Sequence, residues 1–207
     1  MSVSHPLDAA LAHAAPLRPA LHGGTQPVAV GSKDFVAGAD GLYVRAASPA
    51  LAITANVAPV SDAPLPYAPM QASIVPANGP VPLTLLHTFA AWAAADADRE
   101  IAAVIEAEGH GYRLRRIDSE DRSAAHVTYD DRLVDDDRLV VDLHSHGRLD
   151  AFFSGQDDAS DRSRRGPYIA VVIGHCDAEP LQCCRLVVSP FLVPLSLTDL
   201  VAQGVFA

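Results

Sequence analysis

Hydrophobic and polar positions change rhythm near Pro82. Before it, short apolar runs recur at Pro27 to Val30, Leu42 to Ala47 and Leu51 to Val57, punctuated by Gly38, Asp40 and Gly41. Such spacing predicts short strands joined by tight turns. Pro64, Pro66 and Pro69 make Ser61 to Met70 a loop or extended edge, and Ala72 to Val75 is a last short strand. Beyond Pro82, Leu85, Phe89, Trp92 and Ala93 fall at helical spacing, predicting an amphipathic helix over Leu85 to Ala97 with Thr84 as N-cap.

Strands and helices then intersperse. Glu100 to Glu108 is an apolar run flanked by charge and suits a buried strand; a turn at His110 and Gly111 leads into a half-exposed strand, Tyr112 to Ile117. His126 to Tyr129 is a further candidate strand, followed by an acidic loop at Asp135, Asp136 and Asp137. Leu139 to Leu143 is a buried strand that delivers His144 and His146. Gln156 to Arg164 reads as a short polar helix, Pro167 to Ile173 and Leu181 to Val188 as strands, and Ser196 to Ala202 as a final helix stopped at Gly204. The pattern predicts an α+β fold, a mixed β-sheet flanked by helices, with a β-rich N-terminal addition. The division falls at 1–81 and 82–207.

Composition narrows the function classes. The 207 residues are too few for a (β/α)8 barrel of roughly 250. With 15 basic and 25 acidic residues the net charge is -10, which argues against direct nucleic-acid binding. No uncharged apolar run approaches the roughly 18 residues of a membrane span. Cys176, Cys183 and Cys184 fit a reducing compartment, so a soluble cytoplasmic protein is expected.

Candidate chemistry concentrates in one stretch, His144-Ser-His146-Gly-Arg-Leu-Asp-Ala-Phe-Phe-Ser154-Gly-Gln-Asp157. Side chains alternate along a strand, so His144 and His146 share a face and can share a divalent metal. Asp157 can add an oxygen as third ligand, leaving a fourth position open, the mark of a catalytic zinc site. Ser154-x-x-Asp157 is also a capping arrangement for a helix N-terminus, and the two roles are compatible.

His-x-His, seven residues, then Ser-x-x-Asp resembles the JAMM motif of the JAB/MPN metalloprotease family, over roughly Leu83 to Val188. The resemblance implies a cytidine-deaminase-like fold and Zn2+ held by His144, His146 and Asp157. It implies Glu100 as general base toward the attacking water and Ser154 as donor to the developing oxyanion. With its Pro-rich β prefix the chain most resembles a bacterial branch of that family, PRTRC system protein A. That branch implies a protein or peptide substrate, a ubiquitin-like protein among them, and a ThiF-like adenylating enzyme as a partner in the same cassette. Gly147 stands where the family usually has proline, and glycine is expected to loosen the exit from the strand.

Other groups compete for roles. Glu106 and Glu108 are expected to be solvated charges, Asp158 and Asp161 to be helix-dipole and surface acids, His175 to be structural or to stand behind a ligand, and Asp142 to orient an imidazole or sit at an edge. Asp150, in the loop, is placed to gate the site but carries no assigned role. The alternatives to a peptidase are a metal-free MPN scaffold, and a hydrolase of small peptides or sulfur-carrier conjugates.

Overall fold

The computed structural model describes residues 5–60, 62–117 and 134–207, with the backbone of two short strands between the last two segments. A five-stranded sheet comes first. Helix α1 (Pro6–Ala14) precedes β1 (Leu17–Pro19), β2 (Lys33–Gly38), β3 (Gly41–Ala47), β4 (Leu51–Pro59) and β5 (Ser73–Pro76), which lie side by side in chain order. Buried Asp34 on β2 stands opposite Arg45 on β3, and the guanidinium grips both carboxylate oxygens at 2.8 and 2.6 Å.

The second sheet carries the chemistry. Helix α2 (Leu83–Ala95) leads into β6 (Ala102–Glu108) and β7 (Gly111–Ile117). The two-stranded β8 (Asp121–Ser123) and β9 (His126–Thr128) follow, then β10 (Leu139–Ser145), α3 (Gly155–Ser163), β11 (Tyr168–Gly174), β12 (Leu181–Val188), β13 (Phe191–Leu195) and α4 (Leu197–Ala202). The strand order is β13-β12-β11-β10-β6-β7. Only β10 and β11 run parallel in this sheet, joined by a crossover through α3. That crossover sets the N-terminus of α3 near the C-terminal end of β10.

The two faces of this sheet have different covers. Ala103, Ile105, Val141, Leu143, Val171 and Leu186 pack with Leu86, Phe89 and Ala93 of α2 and with Val44, Leu51 and Ile53 of the first sheet. The N-terminal strands therefore share one apolar core with the second sheet. Ala102, Val104, Tyr168, Ala170 and Val187 belong to a separate, smaller cluster against Phe153 on the opposite face, the one α3 overlies.

Several expectations are corrected. Pro27 to Val30 forms no strand, whereas α1, β1, β2 and β13 went unpredicted. The N-cap position of α2 is Pro82, which offers no side-chain cap; Thr84 lies within the first turn. Glu106 is buried, not solvated: Arg115 donates to it at 2.7 and 3.1 Å and holds its carboxyl below the usual range. Glu108 is half exposed and paired with Arg113 and Arg138. Tyr129 lies outside the described residues. Among the described residues no helix is long and apolar enough to cross a membrane.

Candidate metal centre

Apolar strand β10 ends in His144 and Ser145, with His146 directly after it, and the two imidazole centroids are 5.2 Å apart. The antiparallel ladder pairs His144 with Ala102 of β6. It continues one step beyond the strand: Ser145 N–H donates to the Ile101 carbonyl at 2.9 Å, and Ile101 N–H donates to Ser145 Oγ at 3.1 Å. Carried one residue further, this register sets Glu100 opposite His146, and opposed residues of an antiparallel pair share a face. Glu100 is buried there, two residues before β6 begins. The residue between the two histidines thus anchors the segment bearing the carboxylate, a role that the pattern His-x-His does not announce.

Helix α3 supplies the third group. Ser154 is its N-cap: Asp157 N–H donates to Ser154 Oγ at 3.2 Å, and Ser154 N–H donates back to Asp157 Oδ2 at 2.6 Å. This capping box fixes one carboxylate oxygen and turns the other, Oδ1, toward His144 Nε2 at 3.5 Å. Ser154 Oγ accepts in that box, so its own hydrogen can be donated elsewhere.

The donors fit a divalent ion. One ligand atom each from His144, His146 and Asp157 lies within 4.8 Å of the others. His144 Nε2 is buried with no hydrogen-bond partner among the described residues. A tetrahedral zinc site with bonds of about 2.05 Å has ligand-to-ligand edges of about 3.3 Å, close to the His144–Asp157 separation. Burial pushes the His144 pKa down to about 4, against the pull of Asp157, so the ring is neutral at pH 7, the form that ligates. His146 Nδ1 lies 3.0 Å from the Asp150 carbonyl. A carbonyl only accepts, so Nδ1 carries the hydrogen and Nε2 keeps its lone pair for a metal. Phe152 meets the His146 ring edge-on at 4.5 Å, and Phe153 flanks His144 at 6.4 Å.

Below the imidazoles lies a charged network that local sequence pattern did not reveal. Arg185 of β12 donates to Asp161 at 2.7 Å and to Asp158 at 2.5 Å, and stacks 3.8 Å over the Phe153 ring. The Tyr168 hydroxyl donates to the other Asp161 oxygen at 2.6 Å. Arg164 reaches Asp142 at 3.4 Å and lies 5.5 Å over the Tyr168 ring. Asp161 is therefore buried and not a surface charge, while Asp158 is the partly exposed first-turn acid expected; with Arg185 both fasten α3, and hence Asp157, to the sheet. Asp142 shares the His144 face of β10, and its partner is Arg164, at the end of the same helix.

Gly147 is held, not loose. Its φ is +56°, which proline cannot adopt, and a Cβ there would stand 2.5 Å from the Ala97 carbonyl oxygen. Arg148 beside it pairs with Asp98 at 2.9 Å and Asp177 at 3.2 Å. The absent side chain lets the 97–99 segment, just before Glu100, lie directly on the His146 exit.

Residues 82–187, slightly more than half of the chain, match the family described as prokaryotic homologs of the JAB domain. The chain belongs to that family. Residues 5–76 match a second family, a domain of unknown function, DUF2016. Among solved structures, the solution structure of protein DSY2949 from Desulfitobacterium hafniense is similar, at 15% identity and a TM-score of 0.43, covering 56% of this chain and 88% of that one. No curated protein matches the chain.

Proposed function

We propose that this protein is a zinc-dependent peptidase or isopeptidase of the JAMM type. The observation that carries the reading is the convergence of His144, His146 and Asp157, with the buried His144 Nε2 making no hydrogen bond among the described residues. His144 and His146 through nitrogen and Asp157 through Oδ1 would hold the ion. Bound there, zinc supplies Lewis acidity toward a carbonyl oxygen and lowers the pKa of water.

The chain's own residues do the rest. Glu100 takes the proton from the attacking water and returns it to the leaving amine. Ser154 donates its hydroxyl hydrogen to the oxygen that gains charge, a contact worth about 2.7–4 kcal/mol in comparable sites. Phe152, about half exposed and against the His146 ring, gives the site an apolar edge, which favours a polypeptide over a small polar substrate. The substrate we propose is a protein carrying or processed as a ubiquitin-like tag, with a ThiF-like adenylating enzyme of the same PRTRC cassette as a partner. The three free cysteines suit the reducing cytoplasm in which such a cassette would act.

The test is cleavage, by zinc-loaded wild type and Glu100→Gln, of fusions ending in the ubiquitin-like protein. Wild type is expected to cleave, and the variant to bind zinc equally yet cleave at least about 100-fold more slowly. Equal rates would remove Glu100 from the mechanism.

A further inference from the structure

Between His146 and Ser154 the chain makes a loop folded back onto the end of β11. Three backbone bonds hold it: His146 N–H to the Ile173 carbonyl, His175 N–H to the Leu149 carbonyl and Cys176 N–H to the Gly147 carbonyl, each at 2.8 Å. The loop rides directly on Gly174, where a Cβ would collide with the backbone of Leu149, Asp150 and Ala151. One side-chain bond completes the clamp. His175 Nε2 lies 2.6 Å from Asp150 Oδ1, and Asp150 is the residue whose carbonyl receives the His146 Nδ1–H.

His175 adopts this place at a backbone penalty. Its φ is +53°, a left-handed conformation that glycine occupies freely and other residues at a cost of order 1 kcal/mol. The bond it gains is with a largely exposed carboxylate, and such exposed pairs contribute little to stability. Folding stability alone therefore gives no reason for an imidazole there. Its position does: the side chain fixes the one carbonyl that decides which nitrogen of His146 is bare.

We infer that Asp150 and His175 form a positioning couple for His146. By bonding the Asp150 carboxylate, His175 holds the Asp150 carbonyl where it captures the Nδ1 hydrogen, so that Nε2 faces the ion in the ligating tautomer. Outer partners of this kind typically change metal affinity 10- to 100-fold. The inference rests on the zinc reading above and deepens it.

The experiment compares wild type, Asp150→Ala, Asp150→Asn and His175→Gly. Zinc affinity is measured by competition with a chromophoric chelator, thermal unfolding is measured on the metal-free proteins, and the His146 tautomer is read by long-range 1H–15N NMR. Glycine suits the left-handed backbone, so His175→Gly keeps the fold while deleting the bond. Asp150→Ala and His175→Gly should bind zinc about 10- to 100-fold more weakly. Their metal-free melting points should stay near that of wild type, with His146 drifting from the Nδ1–H tautomer. Asp150→Asn, whose Oδ1 still accepts from His175, should stay within about threefold of wild type. Wild-type zinc affinity and tautomer retained in both Asp150→Ala and His175→Gly would overturn the couple while leaving the metal site standing. Failure of wild type itself to bind zinc would sink the metal reading, and the couple with it.

Discussion

The two faces of the second sheet come from the same strands, one residue out of step. Along β10, Val141 and Leu143 turn to the shared apolar core while Asp142 and His144 turn to α3. Along β12, Cys184 and Leu186 go one way, and Arg185 goes the other to meet Asp158 and Asp161. The first face binds the N-terminal sheet and α2 through contacts that carry no direction. The second holds α3 largely through charge-assisted hydrogen bonds, which do carry direction. A carboxylate that must stand a few ångströms from an imidazole needs the directional kind. The apolar face supplies stability without direction, whereas the polar face supplies stability and placement together.

Disturbing the polar face should have the larger effect. Arg185→Met leaves the buried Asp161 carboxylate without its cation and Asp158 with Arg162 alone, and a broken buried pair typically costs about 3–5 kcal/mol. Chemical denaturation should show that loss, and zinc affinity should fall with it because Asp157 rides on α3. Leu143→Ala, on the apolar face, is expected to cost about 2–5 kcal/mol, yet the folded fraction should bind zinc as wild type does. If Leu143→Ala weakens zinc binding as much as Arg185→Met, the division of labour is wrong.

A smaller effect is expected at the exit from β10. Gly147→Ala places a side chain at φ +56° against the Ala97 carbonyl, a strain of about 1–3 kcal/mol in the unfolding free energy. Because that carbonyl precedes Glu100, the variant should also lose more hydrolytic rate than zinc affinity. Proline at 147 cannot adopt this φ and should be worse than alanine.

A pH effect is expected on the metal-free protein. His144 titrates near 4 when folded and near 6.5 when unfolded, so in that window the unfolded state binds more protons. Its contribution makes stability fall as pH drops from about 6.5 toward 4, with no further change below. His144→Gln should flatten that part of the stability profile. An unchanged slope would mean that the ring is not desolvated.

Much of this was legible in the sequence, for reasons that can be named. The β10 run from Leu139 to Leu143 is unbroken and apolar apart from Asp142, and the two histidines after it sit one strand period apart. The Ser154–Asp157 capping box announced the start of α3 and, with it, the position of the carboxylate that joins the two imidazoles. The misses share a cause: buried polar residues resemble surface ones until their partners are known. Asp161 has nothing local to distinguish it from Arg162, and its partner Arg185 is 24 residues away in the chain. Strand β2 was hidden in the same way, because Asp34 on its buried side is neutralised by Arg45 from the next strand. Gly147 was misjudged because a glycine's freedom is visible in sequence while the backbone packed against it is not.

If three side chains from β10, its exit and α3 enclose a single divalent ion, metal analysis of protein equilibrated with zinc and then dialysed will find it. Wild type should retain one zinc per chain, and His144→Ala and Asp157→Ala none; a wild type without zinc, or variants that keep a full equivalent, would mean that these side chains do not form a metal site.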